Sequence, residues 1–173
     1  MNTFDYYGHI DIAKAFLEID EKFKAMESFR PHSIHDIQIS GTFPQYMVVF
    51  IARTTEGCIK EIIFNKCKLK SSDIVYLNEI QQTLQDFQNP TKDKIYSFFN
   101  TVLDVKLEDG NFKKIHFEAL GQILNDRHRI AHSQKHYPYL STIQHLKSLN
   151  DIKIHYENVK DFISKLCELT DSN

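Results

Sequence analysis

Apolar side chains recur along this chain every three or four positions and almost nowhere at every second one. Between about residues 9 and 28, Phe16, Ile19, Phe23 and Met26 fall at i, i+3, i+7 and i+10, one stripe of a helix. Pro44 suits the first turn of a long second helix reaching about Lys70. In it Met47, Ile51, Cys58, Ile62 and Ile63 lie near one face, and Phe50, Ile59 and Phe64 widen it. A helix apolar over so much of its circumference belongs at the centre of a bundle. Ser71-Ser72-Asp73 supplies short polar caps for a third helix with the stripe Leu77, Ile80, Leu84 and Phe87.

Asn89-Pro90 reads as a cap and a first-turn proline opening a helix that carries Ile95, Phe99 and Val102. Glu108-Asp109-Gly110-Asn111 breaks that pattern. A further helix over about 112–131 carries Phe112, His116 or Phe117, Leu120, Ile123 and Leu124. A short helical piece near 142–148 leads to the last helix, where Ile152, Tyr156, Val159, Ile163 and Leu166 keep the same spacing. Arg30 to Phe43, with Pro31 and Gly41 and no sustained period, reads as a long connection. The expectation is an all-α bundle of five to six helices.

Composition narrows this without redirecting it. The chain has 173 residues, 42% apolar and 25% charged, enough for one domain over 1–173 and too few for a second core. Five glycines and four prolines are too few for a turn-rich β sandwich. With 21 basic and 23 acidic residues the net charge is −2, so total charge advertises neither nucleic acid nor membrane. The longest apolar run, Tyr46 to Ala52, falls far short of the roughly 20 residues that span a bilayer. The opening Met-Asn-Thr-Phe-Asp lacks the basic and apolar regions of a secretory signal. Three sparse cysteines argue against a disulfide scaffold, and a reducing, cytoplasmic setting is expected.

One stretch departs from bundle logic. Residues 125–137 read Asn-Asp-Arg-His-Arg-Ile-Ala-His-Ser-Gln-Lys-His-Tyr. Between Gly110 and Lys147 stand six Lys/Arg against two Asp/Glu, and five of the nine histidines. A positive, histidine-rich helix end beside Tyr137 and Tyr139 suits an anion, and a phosphate backbone is the obvious one. At ~100° per residue, Arg127 and His132 point about 140° apart, whereas His128 and His132 differ by only about 40°. Arg127 and His132 therefore converge only if the helix loosens near His132, or if two copies pack so that one subunit's Arg meets the other's His.

Arg127-His-Arg-Ile-Ala-His132 resembles the Arg-x(4–6)-His signature of the HEPN superfamily (higher eukaryotes and prokaryotes nucleotide-binding), commonly spelled Arg-Asn-x-Ile-Ala-His-Gly. Here His128 takes the polar position after the arginine and Ser133 replaces the glycine. Leu120-Gly-Gln-Ile-Leu124 leads into the motif as in that superfamily. Glu56-Gly-Cys-Ile-Lys-Glu61 resembles the acidic helix of stand-alone bacterial RiboL-PSP and MAE-type HEPN proteins. The likeness covers about 45–169 of the chain.

That resemblance implies a HEPN-like helical bundle that forms a homodimer with a composite active site. It implies an endoribonuclease that needs no metal or other cofactor, acting on RNA in a toxin or anti-phage defence system with an antitoxin or defence-system partner. Arg127, His132 and His128 would form the catalytic set, and Glu56 a supporting acid. Some HEPN toxins carry a modified tyrosine two residues after the histidine; here that position is Gln134, so such control does not transfer, and Tyr137 is only a weak substitute. Arg129 either touches phosphate or pairs with Asp126, one turn away.

The chemistry stands apart from the family. RNA brings its own nucleophile, the 2′-OH, beside the scissile phosphate. Cleavage then needs a base, an acid for the departing 5′-oxygen, and a cation for the crowded phosphorane. An imidazole titrating near neutrality and a permanently charged guanidinium meet those needs, leaving a 2′,3′-cyclic phosphate and a 5′-hydroxyl. A zinc pair at His128 and His132 is disfavoured by the Arg-Ile-Ala between them, which lacks the acid of His-Glu-x-x-His. The competing reading is a non-catalytic module that binds RNA or nucleotide, or dimerises, within a larger assembly.

Overall fold

The computed structural model describes Tyr6, residues 8–133 and residues 147–171. All regular structure among them is helical. Helix α1 (Ile10–Ser28) buries Ile12, Phe16, Ile19 and Phe23. Helix α2 (Ile34–Ser40) lies inside the stretch read as a connection, which corrects that reading. Ser33 caps it by accepting from the Asp36 N–H at 3.1 Å, and Asp36 Oδ2 accepts from the His32 N–H at 2.9 Å. No residue of this helix is buried, and its seven residues span only about two turns, too few for Ile34 and Ile37 to sustain a period.

Helix α3 (Phe43–Lys70) is the central element, with Pro44 in its first turn. It packs against α1, against α4 (Ile74–Asp86), and against the two long C-terminal helices, α6 (Lys114–Ser133) and α7 (Leu149–Asp171). Ile51, Ile59, Ile62 and Ile63 of α3 are sealed from solvent, each worth about 1.5–3 kcal/mol of burial. Asp73 caps α4, its Oδ1 accepting from the Val75 N–H at 2.9 Å.

Asn89-Pro90 does not open the next helix. Helix α5 (Lys92–Phe98) starts three residues after Asn89, with Thr91 at its cap position, and Asn89 instead adopts the left-handed backbone at φ 49°. Asparagine tolerates that conformation better than most residues do. A π-helical turn (Phe99–Leu103) continues α5. Its wider winding moves the inward position by one residue, so Leu103 is sealed and Val102 only half-buried. Helices α6 and α7 pack on each other and on α3, closing the core. The short piece expected near 142–148 falls almost wholly outside the described residues.

Candidate functional site

The motif lies inside α6, not beyond its end, because the helix stays regular through Ser133. The loosening that would let Arg127 and His132 meet on one chain does not occur. The buried row His116, Leu120, Ile123 on α6 continues to Arg127, so this arginine lies on the core side of the helix where the core gives out. Its side chain is 33% exposed.

Two elements hold the guanidinium there. Nη1 donates to the side-chain oxygen of Asn89, in the link between α4 and α5. The same nitrogen stands 3.9 Å from Glu56 Oε2 on α3. That carboxylate oxygen also accepts from the Asn89 N–H at 3.1 Å, while Glu56 Oε1 takes Lys60 Nζ at 2.9 Å. Arg127, Asn89, Glu56 and Lys60 thus form one network joining α6, α3 and the α4–α5 link. A guanidinium carries five N–H bonds, so its contacts at Nη1 leave donors with which to grip a phosphate.

His128 and His132 occupy another side of α6. Their ring centroids are 4.2 Å apart and tilted by 55°; His128 is exposed and His132 half-buried. Arg129 points to solvent, with Nη1 4.0 Å from Asp126 Oδ1. Of the two roles left open for Arg129, this geometry favours a loose pairing with Asp126, whose Oδ1 also accepts from Gln122 Nε2 at 2.9 Å. The structure therefore brings Glu56 to Arg127 and His128 to His132, and keeps the two pairs on different sides of one helix. Tyr137 lies outside the described residues.

Asn89 and Lys60 escaped the sequence reading. Lys60 had a visible signal, the i, i+4 spacing from Glu56. Asn89 had one too, an Asn-Pro pair, but its contact with Arg127 depends on tertiary packing.

Two other histidines lie on the packed side of α6 and α7. His116 is sealed; its Nδ1 accepts from the Lys113 N–H at 3.2 Å, and its Nε2 meets Asp161 Oδ2 at 2.8 Å. Accepting at Nδ1 fixes the neutral tautomer that donates from Nε2. Burial holds the pKa of His116 below the usual imidazole value, against the opposing pull of Asp161. His155 is likewise lowered by burial and then by Lys147, whose Nζ is 2.7 Å from Nε2. Among the described residues no cluster of three or more metal-ligating side chains occurs. Nor is any helix there long and apolar enough to cross a membrane.

The family model described as RiboL-PSP-HEPN matches residues 10–172. The match is wider than the 45–169 singled out from the motif, because it takes in α1. Comparison with curated proteins and with solved structures gave no significant match.

Proposed function

We propose that this chain, which belongs to the RiboL-PSP-HEPN family, is an endoribonuclease acting without metal on RNA. The observation that carries the reading is the tethered guanidinium of Arg127. It is fixed by Asn89 and Glu56 at the edge of the core yet one-third open to solvent. A cation held in place before substrate arrives stabilises developing charge with little reorganisation.

The steps follow from the groups present. An imidazole takes the 2′-OH proton as the 2′-oxygen bonds to phosphorus. Arg127 neutralises the phosphorane, and a second, protonated imidazole delivers a proton to the departing 5′-oxygen. His132 is the principal proton carrier, and His128, its ring tilted against it at 4.2 Å between centroids, orients it or supplies the second ring. Because Arg127 and His132 diverge on one helix, the complete site needs a second copy of the chain, and the enzyme works as a homodimer. The cell setting in this reading is a cytoplasmic toxin or anti-phage defence system, controlled by an antitoxin or another defence component.

The test is incubation of RNA with the purified chain in EDTA, followed by end-group analysis. Cyclic phosphate and 5′-hydroxyl ends are expected, with the rate falling ~10²-fold or more in His132→Ala. Undiminished cleavage by that variant would overturn the mechanism, and loss of all activity in EDTA would point to a metal.

A second reading has one observation in its favour. The Glu56 carboxylate facing Arg127 offsets part of the charge a phosphorane requires. On that reading the domain binds RNA or nucleotide without cutting it. Tight RNA binding with no cleavage, and expression without growth arrest, would select it.

A further inference from the structure

The solvent-facing ridge of α3 has a symmetry that its own chain does not use. Gly57 sits in the middle of this long helix, where glycine costs about 1 kcal/mol relative to alanine. A Cβ built there meets nothing within 4 Å, so packing within the chain does not require glycine. Four residues to one side stands Arg53 and four to the other Glu61; seven to either side stand Phe50 and Phe64. Arg53, Gly57 and Glu61 are exposed, and the two phenylalanines are half-buried. Neither Arg53 nor Glu61 makes an ion pair among the described residues, although Glu61 Oε1 accepts from Asn65 Nδ2 at 2.9 Å.

Hollows lie on both sides of Gly57. One of about 440 Å³ opens between α1 and α3, lined by Ala15, Phe50, Arg53 and Gly57. The other, about 360 Å³, opens between α3 and α4, lined by Gly57, Phe64 and Leu84.

We propose that this ridge is the interface between two copies of the chain, packed with their α3 helices antiparallel about a twofold axis at Gly57. In that arrangement residues equally far from Gly57 face each other. Arg53 meets Glu61 of the partner subunit twice over, ~12 Å apart along the helix at 1.5 Å per residue. Each Phe50 meets Phe64 of the partner subunit, filling the hollows from outside, and the paired glycines let the backbones approach closely. Glu56 is the neighbour of Gly57, so the axis gathers both Arg127–Glu56 networks at one stretch of interface. The proposal rests on the two-copy reading of the site and supplies its surface.

The experiment measures the mass of the full-length chain by light scattering across a concentration series, separately from RNA cleavage. A dimer is expected. Arg53→Glu and Glu61→Arg should each weaken it about tenfold or more by setting like charges opposite, and the double swap should restore it. Gly57→Leu should leave the circular dichroism spectrum intact while abolishing the dimer. A monomer at every concentration, a dimer indifferent to the single swaps, or a double swap no better than the singles would overturn the interface. A dimer that obeys the swaps without cutting RNA would uphold the interface and sink the nuclease reading. Cleavage by a dimer blind to the swaps would do the reverse.

Discussion

Arg127 on α6 is tied to Asn89 in the α4–α5 link, its Nη1 donating to an asparagine that itself stands in the left-handed backbone at φ 49°. The side chain and the backbone of Asn89 thus do separate jobs, and substitutions can divide them. Asn89→Gly keeps the backbone and loses the tether; Asn89→Ala loses the tether and adds strain of about 1–2 kcal/mol. In urea denaturation, Asn89→Ala should be the less stable of the two. Both should lower kcat for RNA cleavage about tenfold or more with KM little changed, since a freed guanidinium still reaches phosphate but is no longer positioned. Equal stability of the two variants would refute the backbone argument.

Glu56 is expected to restrain the cation it faces. Glu56→Gln removes a carboxylate 3.9 Å from Arg127 and leaves an oxygen for the Asn89 N–H. RNA should bind more tightly, with the slope of log K against log salt steepened by up to ~0.7, the value of one added contact to single-stranded phosphate. Fluorescence anisotropy over a potassium chloride series reads this directly, and unchanged affinity would remove Glu56 from the site.

Acid should destabilise the fold before it reaches the carboxylate range. The folded pKa values of His116 and His155 lie below the ordinary value of 6.5, chiefly through burial. The unfolded chain therefore binds protons first as pH falls, and stability, complete above about 6.5, declines from there toward the lower folded values. Melting temperature should drop between pH 7.5 and 5, and His116→Gln should flatten the drop. An equally steep drop in that variant would assign the effect to other groups.

Tyr156 offers a test of the core. Its hydroxyl lies 2.9 Å from the Phe16 carbonyl and 2.8 Å from Asp20 Oδ1, and Lys160 Nζ reaches the same carboxylate at 3.0 Å. Burial, with the Asp20 contact behind it, pushes the pKa of this phenol far up, so it acts only as a hydrogen-bonding hydroxyl. Tyr156→Phe removes the single hydrogen that this phenol donates and should cost about 1–3 kcal/mol in urea denaturation. A loss under a few tenths of a kcal/mol would mean that Lys160 alone satisfies Asp20.

What was legible in the sequence followed from burial. Phe16, Ile19 and Phe23 announced α1, and Ile152, Tyr156, Val159 and Ile163 announced α7, because each row faces the core. Helix α2 buries nothing and stayed hidden, although the Ser33 and Asp36 caps were in plain view. Leu103 in place of Val102 turned on a π-helical turn, which a period of 3.6 does not describe. At the site, the Arg-x4-His spelling pointed to Arg127 and His132, and the ~140° between them on a regular helix is what the two-copy proposal answers. The tether from Asn89 was not legible, because it joins segments that only packing brings together.

The three cysteines, Cys58, Cys67 and Cys167, are all buried in the core, and none is in a disulfide. Burial pushes the Cys58 thiol up to about 12, far from the reactive thiolate. Maleimide and nitroxide reagents should therefore pass over the folded wild-type chain, which can serve as its own unlabelled background. A single cysteine introduced on an exposed helix would then report distances between spin labels in the native protein, with no internal thiol to delete and no core to repack.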